Sequence, residues 1–182
     1  MKILLLPGLY NSDPDHWQSR WERDLPNAIR VQQQSWTKPE RHAWVASLTE
    51  AINAAEDEVV LVAHSLGCAL VAWWVQMELQ SLGDITKTKV KAALLVAPPD
   101  VARAGFPAPS FSPMPTNCLP FPAKMIVSDD DPWCELSVAK CWADAWGADF
   151  HCIGARGHIN SESGLGGWEQ GQHWLAELLG KL

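Results

Sequence analysis

One stretch, residues 58–73, constrains the fold of this chain more than any other. Residues 59–63 form a short apolar run rich in β-branched side chains, which predicts a buried strand. From Leu66 onward, small and apolar residues continue without a helix breaker until Gly83, which predicts a buried helix. Ser65 therefore stands on the sharp turn between strand and helix, where a hydroxyl is lifted above a sheet and aimed at a cleft.

The motif around this serine is Ala63-His-Ser65-Leu-Gly67, which differs from G-x-S-x-G by an alanine at its first position. That position requires a small side chain, because strand and helix pack closely beside a strained serine. We expect one methyl group to fit there.

The rest of the chain alternates between predicted strands and helices. The further strands are predicted at residues 2–6, 29–33, 91–97, 123–127 and 149–153. The further helices are predicted from a cap at Asp13 to residue 25, from a cap at Thr37 with Glu40 completing a capping box to residue 52, over 135–146 and over 168–179. This alternation predicts one domain over residues 1–182, with a six-stranded, mostly parallel sheet in the order 2-1-3-4-5-6 and helices on both faces.

Residues 98–122 contain eight of the 13 prolines. We interpret them as a long irregular loop with at most a short helical turn, placed over the sheet edge or the active site. Long structureless loops in compact domains often cover functional sites.

A serine hydroxyl is a weak nucleophile at neutral pH and needs a base within hydrogen-bond reach. In folds with a strand-turn-helix serine, the acid and then the histidine follow later in the chain. Three aspartates, 129–131, follow the strand at 123–127, and His158 follows the strand at 149–153. We predict His158 as the general base. Asp131 is the preferred acid because Pro132 biases its backbone toward an extended conformation; Asp129 and Asp130 remain alternatives.

An oxyanion hole needs two backbone N–H groups aimed at the developing negative charge. We predict that one comes from Leu66, the residue after the nucleophile. The other is expected from the loop after the first strand, with Leu9 preferred and Tyr10 second.

The 11 tryptophans are many for this length. Five of them lie at helical positions typical of core packing: Trp44, Trp73, Trp74, Trp142 and Trp174. Four aromatic residues fall near predicted catalytic loops and are candidate walls of a substrate pocket: Tyr10, Trp17, Trp133 and Trp168. Histidines other than His158 are interpreted as structural or surface residues. His64 is expected to pack beside the nucleophile, and His16 follows the loop that should border the cleft.

Composition disfavours several functional classes. The net charge is −7, and the 14 basic residues form no run, so nucleic-acid binding is not expected. No apolar stretch approaches the roughly 18–20 residues that span a bilayer. The five cysteines are odd in number and lack C-x-x-C spacing, which argues against a disulfide framework and a metal site. The glycine run at 164–167 does not match a phosphate-binding loop. We therefore expect a cytoplasmic protein without a metal or another cofactor.

Several segments together resemble one small serine hydrolase family, which includes retinoblastoma-binding protein 9 and bacterial YdeN-like proteins. The segments are Pro7-Gly8, Asp15-His-Trp17-Gln, Val62-Ala-His-Ser-Leu-Gly-Cys68, Leu95-Val-Ala-Pro-Pro-Asp100, Ser128-Asp-Asp-Asp-Pro132 and Gly157-His-Ile-Asn-Ser-Glu-Ser-Gly-Leu-Gly166. The resemblance covers nearly the whole chain. It implies a minimal α/β-hydrolase fold without a large cap, and Ser65, Asp131 and His158 as the catalytic triad.

The sequence thus favours a serine hydrolase that acts on a small carboxylic ester or thioester. Two alternatives stay open at this point. One is a protein that keeps the fold but binds a protein partner, which nothing in the sequence specifically indicates. The other is an acyltransferase with the same nucleophile.

Overall fold

A computed structural model describes residues 1–83 and 88–180 of the chain. Six parallel strands form one sheet in the order β2-β1-β3-β4-β5-β6, which confirms the predicted topology. The strands are β1 Lys2–Leu6, β2 Ala28–Arg30, β3 Val59–His64, β4 Val90–Val96, β5 Ala123–Val127 and β6 Asp149–Cys152. The direction in which successive strands are added to the sheet changes between β1 and β3. The carboxyl ends of these two strands therefore flank the crevice where sheets of this kind bind ligands.

Five α-helices cover the two faces of the sheet. They are α1 Trp17–Asp24, α2 Arg41–Ala54, α3 Leu66–Leu82, α4 Leu136–Trp146 and α5 Glu169–Leu179. Side chains alternate along β1, so that Leu4 and Leu6 pack with α2, α3 and α4, whereas Ile3 and Leu5 pack with α1 and α5. The period of two residues in each strand therefore separates two apolar cores on opposite faces.

Helices α1 and α2 begin later than predicted from the caps at Asp13 and Thr37: they start at Trp17 and Arg41. The carboxylate of Asp13 accepts the N–H groups of Asp15 and His16, which closes a turn, and α1 begins only after His16. Before α2, the hydroxyl of Ser35 accepts the N–H of Lys38 in the same way. The predicted cap at Asp13 was wrong because its side chain stabilises a turn before the helix rather than the helix itself. The predicted capping box of Thr37 and Glu40 was also wrong, because Glu40 is itself the N-cap residue of α2 and no side chain caps that helix.

The proline-rich segment between β4 and β5 contains one short 3₁₀ turn, Pro109–Phe111. Its Phe111 is fully buried, and the indole Nε1 of Trp73 donates to the carbonyl of Phe111 at 2.8 Å. The loop is therefore fastened to α3. Within the part of the chain that the structure describes, no helix combines the length and the apolar composition needed to cross a membrane.

Candidate active site

Ser65 lies between β3 and α3 in a backbone conformation that residues with side chains rarely adopt. Its φ and ψ are 55° and −125°, and its N–H donates to the carbonyl of Val96 at 2.9 Å. Such a strained position persists only where the surroundings hold it, and it turns the side chain out of the sheet. Ala63 is fully buried in the core, so the methyl group expected at this position is accommodated.

Three side chains from three loops form one hydrogen-bonded chain. The hydroxyl of Ser65 lies 2.8 Å from Nε2 of His158, and Nδ1 of His158 lies 3.0 and 2.9 Å from the two carboxylate oxygens of Asp131. The side chains of His158 and Asp131 are 11% and 4% exposed. Because a carboxylate only accepts, the imidazole proton belongs on Nδ1, and Nε2 is free to accept the proton of the serine.

Neighbouring Asp130 has a different set of contacts. Its carboxylate accepts the hydroxyl of Ser128 at 2.6 Å and the N–H groups of Arg156 and Gly157 at 2.8 and 2.7 Å. The hydroxyl of Ser128 and these N–H groups lower the pKa of Asp130. Asp130 therefore ties the end of β5 to the segment just before His158, a role that sequence reasoning did not assign.

The loop after β1 presses against the serine turn at Gly8. A Cβ added to Gly8 would lie 2.7 Å from Cβ of Ser65 and 3.2 Å from the backbone nitrogen of Leu66, so only glycine permits this approach. The N–H of Tyr10 already donates to the carbonyl of Trp36 at 2.9 Å, which removes Tyr10 as a candidate N–H donor. In residues 1–83 and 88–180, the N–H of Leu9 has no protein acceptor. The N–H of Leu66 lies in the first turn of α3, where it lacks an intrahelical acceptor.

A cleft of about 300 Å³ opens beside Ser65 and His158. Its aromatic side consists of Tyr10, Trp133 and Phe106, the last contributed by the proline-rich loop. A larger cavity of about 640 Å³ lies between β2 and α2 and contains none of the three hydrogen-bonded side chains. We therefore take the smaller cleft as the candidate active site.

The structure corrects the placement of Trp17 and Trp168. Both are buried in the core on the α1 and α5 side, with their ring centroids 4.8 Å apart, and neither borders the cleft. The indole of Trp17 instead donates to the carbonyl of Ile159 at 2.9 Å. Because Ile159 directly follows His158, this hydrogen bond holds the loop that contains His158 against the core. Trp17 lies next to a predicted catalytic loop in the chain, but that proximity did not show that its face of α1 packs into the core.

Two further histidines, His16 and His64, are buried in the wall of the cleft. Nε2 of His64 lies 2.8 Å from the carbonyl oxygen of His158 and donates to it, so His64 packs beside the serine turn. The ring of His16 lies 4.7 Å from that of His64. Burial lowers the pKa of His64 well below its usual value of 6.5 and lowers the pKa of His16 to about 4.

These buried histidines predict that the protein loses stability in mild acid. The unfolded chain takes up a proton near pH 6.5, whereas folded His16 resists until about pH 4, so the free energy of unfolding falls as the pH drops through this window. The loss from His16 alone is about 3 kcal/mol, and His64 adds to it in the same direction. Urea unfolding at pH 7.0 and 4.5 measures the difference.

The matched variant for this measurement is His16→Asn, which removes the titrating ring. It should lose clearly less stability between the two pH values than the wild type. An identical loss in both proteins would contradict the assignment. The lowered pKa values of Asp13 and Asp130 do not interfere, because their contributions are lost only as the pH falls below about 3.8.

Comparisons with known proteins bear on the family and the fold of the chain. A sequence profile described as serine hydrolase matches residues 3–177. A YdeN-like hydrolase of Pectobacterium atrosepticum has a similar crystal structure, with a TM-score of 0.84 and 31% identity over 97% of this chain and 89% of that one. The ydeN gene product of Bacillus subtilis gives a TM-score of 0.74 at 16% identity over 98% of both chains. A hydrolase of the α/β superfamily from Xanthomonas campestris gives 0.64 at 21% identity over 100% of both chains. No curated protein sequence matches the chain. The α/β-hydrolase fold is thereby confirmed, and no large cap is evident in the part of the chain that the structure describes.

Proposed function

The chain belongs to the serine hydrolase family, and we propose that it cleaves a small carboxylic ester or thioester through an acyl-enzyme on Ser65. The observation that carries this proposal is the hydrogen-bonded chain from Ser65 through His158 to Asp131, at the carboxyl ends of three parallel strands. We also propose that residues 1–182 form one domain.

In the first half of the reaction, the oxygen of Ser65 attacks the carbonyl carbon of the substrate while Nε2 of His158 takes its proton. Asp131 stabilises the resulting imidazolium through its bond to Nδ1. The negative charge that develops on the carbonyl oxygen accepts hydrogen bonds from the N–H groups of Leu9 and Leu66. Collapse of this intermediate expels the alcohol or thiol, which leaves with the proton from His158.

In the second half, water replaces the alcohol. His158 takes a proton from the water as its oxygen attacks the acyl carbon, and it returns that proton to Ser65 as the carboxylic acid leaves. The same two N–H groups stabilise the second intermediate. The active site thus returns to its starting state without a cofactor.

The cleft indicates the size of the substrate. Its volume of about 300 Å³ lies at the lower end of ordinary small-molecule sites. Leu9, Phe106 and Trp133 give it apolar surface close to the reacting atoms. We therefore favour short acyl or alcohol groups over long lipid chains.

A fluorophosphonate probe tests the proposal directly. We expect wild-type protein to be labelled, with the adduct on the peptide that contains Ser65, and Ser65→Ala to remain unlabelled. Hydrolysis of p-nitrophenyl esters should be fastest for short acyl chains and should fall with increasing length. A wild type that neither labels at Ser65 nor hydrolyses any of these esters would overturn the proposed function and favour a binding role. Preferential acyl transfer to an added alcohol would favour an acyltransferase.

A further inference from the structure

We infer that His16 is a substrate-binding residue whose Nε2–H donates a hydrogen bond to an uncharged oxygen of the ester, a short distance from the reacting carbonyl. This inference rests on the proposed function, and it names a chemical group of the substrate that the same cleft would recognise. The feature is an ether, hydroxyl or carbonyl oxygen in the acyl or the alcohol part.

The position of the proton on His16 follows from the start of helix α1. His16 is the N-cap residue, and its Nδ1 accepts the backbone N–H of Gln18 at 3.1 Å. A nitrogen that accepts a hydrogen bond carries no proton, so the single proton of the neutral ring is on Nε2. Burial lowers the pKa of His16 to about 4, so the ring is neutral at pH 7.

The resulting N–H group has no partner within residues 1–83 and 88–180. The residue is only 3% exposed, and its Nε2 is buried without a hydrogen bond. His64, buried beside it, shows the ordinary arrangement, because its own Nε2 donates to a backbone carbonyl. A buried donor without an acceptor costs about 1–3 kcal/mol, so most such groups are satisfied by protein, water or ligand.

His16 is one of the residues that line the cleft containing Ser65, and its Nε2 lies just under the cleft surface, so a small turn of the ring presents the N–H to a bound ligand. One ring, that of His64, separates it from His158: the centroid distances are 4.7 Å from His16 to His64 and 5.0 Å from His64 to His158. An oxygen bound by His16 is therefore within the span of a small ester whose carbonyl lies at Ser65.

The charge of the cleft indicates that this oxygen is uncharged. Asp13 and Glu162 lie among its lining residues, whereas none of the described lining residues is Lys or Arg. The carboxylate of Asp13 is held by the hydroxyl of Ser161 and by backbone N–H groups. The carboxylates of Asp13 and Glu162 would repel a carboxylate or phosphate on the substrate, and no Lys or Arg among the described lining residues would pair with it.

Two pairs of matched esters measure recognition of the oxygen. The acyl pair is p-nitrophenyl methoxyacetate and p-nitrophenyl butyrate, and the alcohol pair is 2-methoxyethyl acetate and butyl acetate. In each pair, an ether oxygen replaces one methylene group at nearly constant size. The measured quantity is kcat/KM for the ether-containing ester divided by kcat/KM for its hydrocarbon partner. Comparing this ratio between variants cancels both the intrinsic reactivity of the esters and any general loss of activity.

Two substitutions of His16 separate the two ring nitrogens. His16→Asn places an oxygen near the position of Nδ1 and keeps the helix cap, but it removes the donor at Nε2. His16→Gln keeps an N–H donor near the position of Nε2 and gives up the acceptor at Nδ1. Thermal unfolding of both variants reports separately on the cap.

We expect His16→Asn to lower the ratio about tenfold in one of the two pairs, as loss of one neutral hydrogen bond does. We expect His16→Gln to retain most of the ratio despite a lower Tm. Unchanged ratios in both pairs would overturn the inference while leaving the proposed function intact. Equal losses in both variants would also overturn it, since His16 would then act by positioning the loop. A wild type that hydrolyses none of the four esters would overturn the proposed function and this inference with it.

Discussion

Replacing Asp131 with asparagine is expected to lower kcat for a short p-nitrophenyl ester by about 10⁴-fold with little change in the fold. The carboxylate of Asp131 accepts the Nδ1 proton of His158 with both oxygens, and its side chain is only 4% exposed. An asparagine offers an amide N–H at one of these positions, which favours the tautomer with the proton on Nε2. That tautomer cannot accept the proton of Ser65. Steady-state kinetics together with circular dichroism measure the effect.

The two neighbouring aspartates are the controls for this variant. Asp129 is exposed, and Asp129→Asn should retain wild-type activity. Asp130→Asn should reduce activity more mildly and should lower Tm, because its carboxylate holds the N–H groups of Arg156 and Gly157. Wild-type activity in Asp131→Asn with an inactive Asp130→Asn would move the orienting acid by one residue.

The division of roles between Asp130 and Asp131 shows where sequence reasoning ends. The sequence locates both at the carboxyl end of β5, because apolar strands and the turns that follow them are encoded locally. Pro132 favoured Asp131 as the residue facing His158. That Asp130 fastens the loop before His158 depends on contacts 26 and 27 positions apart in the chain, which no local pattern encodes.

The tryptophans also show that position in the chain does not determine which surface a side chain contacts. Trp17 and Trp133 both lie next to predicted loops, yet only Trp133 borders the cleft. Trp17 packs on Trp21 and Trp168 and reaches a carbonyl 142 positions away. Which neighbours a helix face packs against is decided by residues distant in the chain, such as Trp168, and not by the loop beside the helix. Phe106 had no sequence signal, because irregular loops have no periodicity from which to infer orientation.

Replacing Gly67 with alanine is expected to lower the free energy of unfolding by more than about 3 kcal/mol and to abolish hydrolysis. A Cβ at Gly67 would lie 2.2 Å from the carbonyl oxygen of Leu6 and 3.1 Å from that of Pro7. Both atoms belong to the backbone at the end of β1, so no side-chain rotation relieves the overlap. The displaced segment leads directly into Gly8 and Leu9, which lie against the serine turn. Chemical denaturation and ester hydrolysis measure the two effects.

The matched control exchanges the same two residue types at the other end of the motif. Ala63→Gly removes a buried methyl group and adds backbone freedom, so it should cost only about 1–2 kcal/mol and keep most of the activity. The contrast follows from the two sides of the serine turn: the core accommodates a methyl group before Ser65, whereas the carbonyl of Leu6 excludes one after it. If Gly67→Ala unfolds at the same denaturant concentration as the wild type, the close approach of α3 to β1 is not required. The strained turn would then be held by contacts on the β3 side alone.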